Sequence, residues 1–363
     1  MKKVYFSNIF AFLFLISSTL FAQEHHADST AEHVTTEAIS TETTAHAEGE
    51  GHGEEAEAFN PGKMMLEHIA DEHEWHFATV GHTHYSIPLP CIVWNKGGLK
   101  LFSSNRFKDE HHENNASYEG LKLEEGKIIA EDGSFVLDLS ITKNVASLLI
   151  SLVLLVSIFF TIAKSYKERS GKAPKGLQSL FEPIIVFIRD EVAKQNIGEK
   201  HYKRFTPYLL TVFFFIWFNN MLGLLPGSAN VTGNIAITLV LALIAFFVTN
   251  LNGKSTYWGH IFAMPGVPKW LLILLTPVEI IGVFMKPISL MIRLFANITA
   301  GHLILLSLIA IIFIFKSLGV AAIAVPFSVF MNLIEILVAF LQAFIFTVLT
   351  STYIGSAVEE GHH

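Results

Sequence analysis

The sequence predicts an all-α polytopic membrane protein. About five membrane helices are expected, two of them long, strongly tilted and C-terminal. An interfacial amphipathic helix and a small, partly β extracytoplasmic N-terminal region complete the fold class. Three observations lead there. Hydrophobic residues make up 51% of the 363, and they gather in runs near or above the ~20 residues that cross a bilayer as helix. Lysine and arginine cluster directly after the first mature run, which orients it. The last two runs carry polar stripes on otherwise greasy surfaces.

Composition also excludes function classes. The net charge of −7 is uneven, because acidic residues crowd the N-terminal third, and no basic stripe suggests nucleic acid. Cys91 is the single cysteine, so an internal disulfide and any cysteine-based zinc or redox motif are ruled out.

Residues 1–22 read as a signal peptide, with Lys2 and Lys3 before an apolar stretch from Val4 to Leu20. An uncleaved first helix is the alternative, and either places the next segment outside the cytoplasm. Residues 23–63 are rich in Glu, His, Thr and Ala and too poor in large apolar side chains to offset chain entropy, so disorder is expected. Of the 17 histidines, 12 precede residue 113, and His68, His73, His76, His82 and His84 are the densest group. Their spacing matches no metal motif, and a solvated tail is the expectation. Residues 64–142 form the small β-rich region: a short helix over Met64–His76, strands over Tyr85–Trp94 and Leu99–Phe102, and a hairpin over Lys127–Leu139 turning at Asp132-Gly133.

The membrane domain is expected over 143–358. Val145–Ala163 is the first span, and Lys164, Lys167, Arg169, Lys172 and Lys175 mark its end as cytoplasmic. Leu177, Leu180, Phe181, Ile184, Ile185, Ile188 and Val192 recur at helical spacing among charges, the pattern of a helix lying on the inner interface. Tyr208–Leu225 returns outward, Ile235–Leu251 crosses inward, and Asn252–Lys269 is a cytoplasmic loop. Trp270–Phe315 as one helix would run roughly 65–70 Å, against a hydrocarbon core of about 30 Å. Its middle, Ile292-Arg293-Leu294-Phe295, holds no turn residue, so one steeply inclined helix is expected. The same argument applies to Gly319–Tyr353, with the junction near Lys316–Gly319. Residues 359–363 are a cytoplasmic tail.

Chemistry concentrates in these last two helices. An arginine at mid-bilayer costs about 2.5–3.5 kcal/mol on insertion scales, so Arg293 is a functional candidate by default. At about 3.6 residues per turn Gly282, Lys286, Ser289, Arg293, Asn297 and Ala300/Gly301 share its face. Guanidinium does not deprotonate at usable pH, so Arg293 acts as a fixed positive barrier, not a relay. No carboxylate of this chain shares its face nearby; Glu279 is about four turns away. The acidic partner is therefore sought on another protein. The final helix carries Asn332, Glu335, Gln342, Thr350 and Tyr353 on one face. His302 lies half a turn round from Arg293 and is placed to meet Glu335, a pairing of proton-relay type. Lys286 suits snorkelling as well as a path, and Asn219, Asn220 and Asn234 suit helix packing as well as a channel. A secondary transporter would need inverted repeats around broken helices, and an intramembrane hydrolase a nucleophile–base constellation; the sequence offers neither.

Ile288–His302, with Gln342–Thr350 and Tyr353, resembles the two signature helices of subunit a of the F-type rotary ATP synthase. Asn219-Asn220-Met221-Leu-Gly-Leu-Leu-Pro226 resembles an earlier one. The resemblance covers about 145–358 and leaves the first 140 residues out. It implies a stator subunit beside a ring of c subunits, tied to b-type peripheral stalk subunits. That subunit sits as a multi-pass protein in the lipid bilayer of the bacterial inner membrane, with a periplasmic N-terminal region and a cytoplasmic C-terminus. It implies no cofactor, no metal and no bond chemistry by this chain alone. By motif position, Arg293 faces the ring carboxylate. Asn297, His302, Glu335 and Gln342 line an outer half-channel, and Glu279, Lys286 and Ser289 lie toward the inner exit. Asn219, Asn220, Asn234 and Tyr353 support them. Two departures stand out. Many bacterial members carry Glu where His302 stands and His where Glu335 stands, and some carry an acidic residue in place of Gly223.

Overall fold

The computed structural model describes residues 71–80, 83–108, 116–124, 126–169, 171–225, 228–264 and 266–359. The signal peptide over 1–22, the disorder over 23–63, His68 and the tail beyond Glu359 lie outside the described residues, as do the side chains of His76, His82 and His84.

Among the described residues seven strands form three small antiparallel sheets: β1 (Glu74–Val80), β2 (Thr83–Pro88), β3 (Pro90–Asn95), β4 (Gly98–Ser103), β5 (Leu121–Glu124), β6 (Lys127–Ala130) and β7 (Leu137–Asp138). β1 pairs β2, β3 lies between β4 and β7, and β5 pairs β6. Cys91, Val93, Phe107, Leu121 and Ile128 make the buried core of this region. Three expectations are corrected here. Residues 74–76 of the expected helix are strand, because the aromatic and β-branched run Trp75–Val80 finds an antiparallel partner in β2. The strand over Tyr85–Trp94 breaks between Pro88 and Pro90, neither of which donates a ladder hydrogen bond. The chain does turn at Asp132-Gly133, with Gly133 at φ +66°, but its two arms go to different sheets. A tighter reversal between Glu124 and Lys127, with Gly126 at φ +77°, claims β6 for β5.

The sheet region is fastened to the first membrane helix, α1 (Lys143–Glu168). Asp71 accepts from the Thr142 hydroxyl and from the Asn144 amide, each at 3.0 Å, so its carboxylate caps the helix start. His73 Nε2 meets Asp138 Oδ2 at 3.0 Å in the same joint. Desolvation lifts the Asp71 carboxyl above the usual carboxylate range. The Asp138 carboxyl is desolvated too, but its bond to His73 holds it below that range.

Asn144, Ser147, Ser151 and Ile162 bury one face of α1. The amphipathic segment is α2 (Leu177–Phe187), continued by a π-helical stretch over Ile188–Lys194 and a last turn over Gln195–Ile197. Phe181, Ile188 and Val192 are its buried side, and Phe181 joins Phe159, Phe214 and Trp217 in a ring cluster. Then come α3 (Tyr202–Gly223), α4 (Ile235–Leu251) and α5 (Ser255–Phe262). α5 is a correction, since Asn252–Lys269 reads as a loop in the sequence. It bends away from α4 by 103°. Gly253 allows the bend: a Cβ there would stand 2.8 Å from Tyr257 Cδ1 and 3.1 Å from Trp258 Nε1.

The two long elements are single helices as expected, α6 (Lys269–Phe315, 47 residues) and α7 (Leu318–Val358, 41 residues). At about 1.5 Å per residue α6 extends ~70 Å, so only a steep incline fits it to a ~30 Å core. Pro277, Pro287 and Pro326 lie within them without ending them. Lys316, at φ +44°, closes α6 in the left-handed conformation. Among the described residues four helices are long and apolar enough to cross a membrane, or five with α4 and α5 taken together. Buried Leu209, Phe213 and Ile216 of α3, Ala242 of α4, Leu290 and Leu294 of α6, and Phe346 and Ile354 of α7 form the membrane core.

Candidate ion path along the two long helices

Leu290, Leu294 and Ile298 recur every four residues and bury one side of α6. The other side is thereby left outward: Ser289, Ile292, Ala296, Asn297 and Ala300 are exposed. Arg293 is half-buried at the edge of that outward face. No ion pair among the described residues involves it. A cation at membrane depth with no internal carboxylate is costly unless a partner or water meets it. Beside it the Asn297 amide donates to Gln342 Oε1 at 2.9 Å, joining two predicted residues across the helix pair.

One turn beyond Asn297, α6 and α7 come together at Gly301. A Cβ there would overlap Glu335 Oε1 and stand 3.2 Å from Glu335 Cδ. The missing side chain thus makes room for the carboxylate, one residue before His302. Glu335 is buried, and its Oε2 has no hydrogen-bond partner among the described residues. The same holds for Thr299 Oγ1 on α6 and Ser328 Oγ on α7. Thr299 precedes His302 by three residues, and Ser328 precedes Glu335 by seven, so each shares a face with a predicted residue. Buried polar atoms left without protein partners are normally served by water. Water would serve these hydroxyls and the Glu335 carboxylate in the same way.

Toward the N-terminal part of α6 the arrangement differs. Lys286 Nζ lies over the Tyr353 ring, 5.2 Å from its centroid, an interaction favoured by the ring's negative face. Tyr353 is also within electrostatic range of Arg293, and Lys286 of Glu279. Glu279, Gly282 and Lys286 then line a cavity of about 450 Å³ beneath α5, together with His260 and Glu359. Ser289 lies outward on α6 and does not line this cavity.

The asparagines divide. Asn220 is buried between α3 and α7, donating to the Ala339 carbonyl at 3.2 Å and accepting from the Thr232 hydroxyl at 2.7 Å. Asn219 donates to Phe215 O in its own helix at 2.7 Å. Asn234 accepts from Ala236 N at 2.9 Å and caps α4. Sequence reasoning missed Thr299, Ser328, Thr232, His260 and Glu359. Helical spacing from His302 and Glu335 offered a signal for the first two.

The family model described as ATP synthase A chain matches residues 145–355. The chain belongs to that family. Among its curated relatives, ATP synthase subunit a of Chlorobium phaeobacteroides (strain BS1) is 41% identical over 325 residues, 87% of this chain and 81% of its own. ATP synthase subunit a 2 of Prosthecochloris aestuarii is 40% identical over 334 residues, 90% and 86% of the two chains. ATP synthase subunit a of Chloroherpeton thalassium is 45% identical over 239 residues, 64% and 70%. A second model, described as a domain of unknown function, matches residues 64–146. The likeness to two of these family members thus reaches into the N-terminal region, which the resemblance read from the sequence leaves out.

Proposed function

We propose that this chain is the ion-translocating stator subunit of a rotary ATP synthase, and that Arg293 separates two half-paths to and from the carboxylates of a c-subunit ring. The observation that carries the reading is the half-buried Arg293 on the outward face of an inclined helix, with no internal ion pair among the described residues. Its counter-charge must come from a partner, and an acidic residue on a passing ring helix fits. The fixed cation attracts that carboxylate in its ionised form, so each ring site releases its proton before passing. On the outer side Thr299, His302, Ser328 and Glu335 supply the path, with Asn297 and Gln342 beside the arginine. On the inner side Lys286, Tyr353 and Glu279 lead to the cavity under α5, with Ser289 on the ring-facing surface. The chain carries out no bond chemistry itself.

The exposed apolar flanks of α6 and α7, including Ile292 at 51% and Leu337 at 65%, suit the ring and lipid. The basic cluster after α1 favours a cytoplasmic position for that end, with the sheet region outside and the C-terminus inside, in a bacterial inner membrane. The b-type peripheral stalk completes the set of partners.

The test is ATP-driven acidification of inverted membrane vesicles carrying wild type, Arg293→Lys or Arg293→Ala. Arg293→Ala is expected to abolish pumping in complexes that still assemble. Normal pumping by Arg293→Ala refutes the reading.

A further inference from the structure

The cavity of about 450 Å³ at the inner ends of α5, α6 and α7 holds five titratable groups: Tyr257, His260, Glu279, Lys286 and Glu359. At about 30 Å³ per molecule it has space for roughly fifteen waters. The α5 helix is a fixed wall. Tyr257 and Ile261 are buried against Val283 and Ala357. The Tyr257 hydroxyl donates to Asn250 Oδ1 at 3.1 Å, and the Lys254 amide donates to the Ala357 carbonyl at 3.0 Å. Thr276 of α6 holds the far end through Phe262 O at 3.2 Å. His260 follows Tyr257 by three residues, so it shares the cavity side of α5 while remaining exposed.

We propose that His260 is the proton-collecting residue at the inner mouth, exchanging protons between the cytoplasm and Glu279 through the water of this cavity. The inference rests on the stator reading and deepens it. In the pumping direction the His260 imidazole takes a proton from bulk buffer and becomes imidazolium. It passes that proton to cavity water, which delivers it to the Glu279 carboxylate, and the imidazole returns neutral. The charged groups that line the cavity with it are Glu279, Glu359 and Lys286, and Tyr257 completes the titratable set. Of these residue types, only imidazole ordinarily switches charge between pH 5 and 8. A collecting group matters because free protons are scarce.

The experiment compares ATP-driven acidification of inverted vesicles containing the whole complex with His260→Ala, His260→Gln or Arg293→Ala. It is run at about pH 8 in weak buffer, with and without added imidazole. Both His260 variants are expected to pump about tenfold slower. That is less than the usual 10²–10⁴-fold of a positioned acid–base group, because Glu359 shares the mouth. Added imidazole is expected to restore the rate. A wild-type rate in weak buffer overturns the proposal, and so does a slowing that imidazole leaves unchanged, which marks His260 as structural. His260→Gln keeps the bulk of the side chain and carries the comparison should the alanine variant assemble poorly. Arg293→Ala separates the two readings: pumping there refutes the stator function itself, whereas its loss in every buffer leaves the His260 result to decide this inference alone.

Discussion

Gly301→Ala tests the approach of Glu335 to α6 with a single methyl group. A Cβ at this position would overlap Glu335 Oε1 and lie 3.2 and 3.3 Å from Glu335 Cδ and Cγ. The obstructing atoms end a flexible side chain, so the carboxylate turns aside instead of the helices parting. An off-rotamer torsion of this kind costs about 0.5–1.5 kcal/mol. Alanine meanwhile favours a helix interior over glycine by about 0.8–1.0 kcal/mol, so the two effects nearly cancel and assembly is preserved. Function is expected to suffer more, because displacing a reacting group by ~1 Å costs on the order of 10²-fold. The predicted result is a normal amount of assembled complex with ATP-driven acidification lowered at least tenfold. Glu335→Asp, shorter by one methylene, relieves the overlap. The double variant should therefore pump faster than Gly301→Ala alone, a coupling expected of residues in contact. Wild-type pumping by Gly301→Ala, or strict additivity in the double variant, would refute the placement of Glu335 against Gly301.

Two further predictions concern buried polar contacts. Asn220→Ala should lower the thermal stability of the detergent-solubilised complex, by about 1–3 kcal/mol in local terms, because the Ala339 carbonyl and Thr232 hydroxyl lose a buried partner; an unchanged melting profile counts against that bridge. In the sheet region, burial raises the Asp138 carboxyl but the His73 bond prevails and sets it below its ordinary value. A depressed folded pKa gives stability that is present above the unfolded value, near pH 4, and lost as pH falls through the folded one. Asp71 is raised by burial and has the opposite sign, its contribution lost as pH rises through the folded value. Asp138→Asn should therefore flatten the acid side of the stability profile of the full chain, read by sheet unfolding; an unaltered acid limb would show that the His73 pair contributes nothing.

The reach of the sequence differs sharply between the two halves of the molecule, for a physical reason. The α6 helix was legible to within a residue and α7 as one unbroken element, though α7 runs on to Val358 and not to Tyr353, because their hydrophobic runs contain no turn chemistry and a helix satisfies its own backbone hydrogen bonds. Helical spacing likewise sorted Arg293 onto one face and Glu335 with Gln342 onto another. Strand pairing has no such local record. The motif around Asp132-Gly133 announces a turn truly, yet only tertiary packing decides that its arms join β3 and β5 instead of each other. The α5 helix escaped notice because Gly253, Pro265 and Pro268 bracket a stretch whose amphipathic spacing is only eight residues long.

Between these extremes lies the site itself. Which residues face inward on each helix follows from period, but which meet across the interface depends on the axial offset between helices. The sequence placed Glu335 opposite His302; the close approach is at Gly301, and the unpartnered hydroxyls of Thr299 and Ser328 become visible only once that offset is fixed. The offset is set by small residues. Gly301 admits a carboxylate on the outer side. Near the inner end of α7, a Cβ on Gly355 would overlap the Asn196 carbonyl oxygen and lie 3.5 Å from Ile197 Cα, so helix and backbone meet directly there. Two glycines thus pin α7 at both ends of its polar face, one against a side chain that can swing and one against backbone that cannot. Sliding α7 by one turn would carry Glu335 away from Gly301 and Gln342 away from Asn297 together, at the cost of backbone overlap at Gly355. The Gly301–Glu335 approach and the Asn297–Gln342 bond are therefore held in register by a backbone contact far from either, at Gly355.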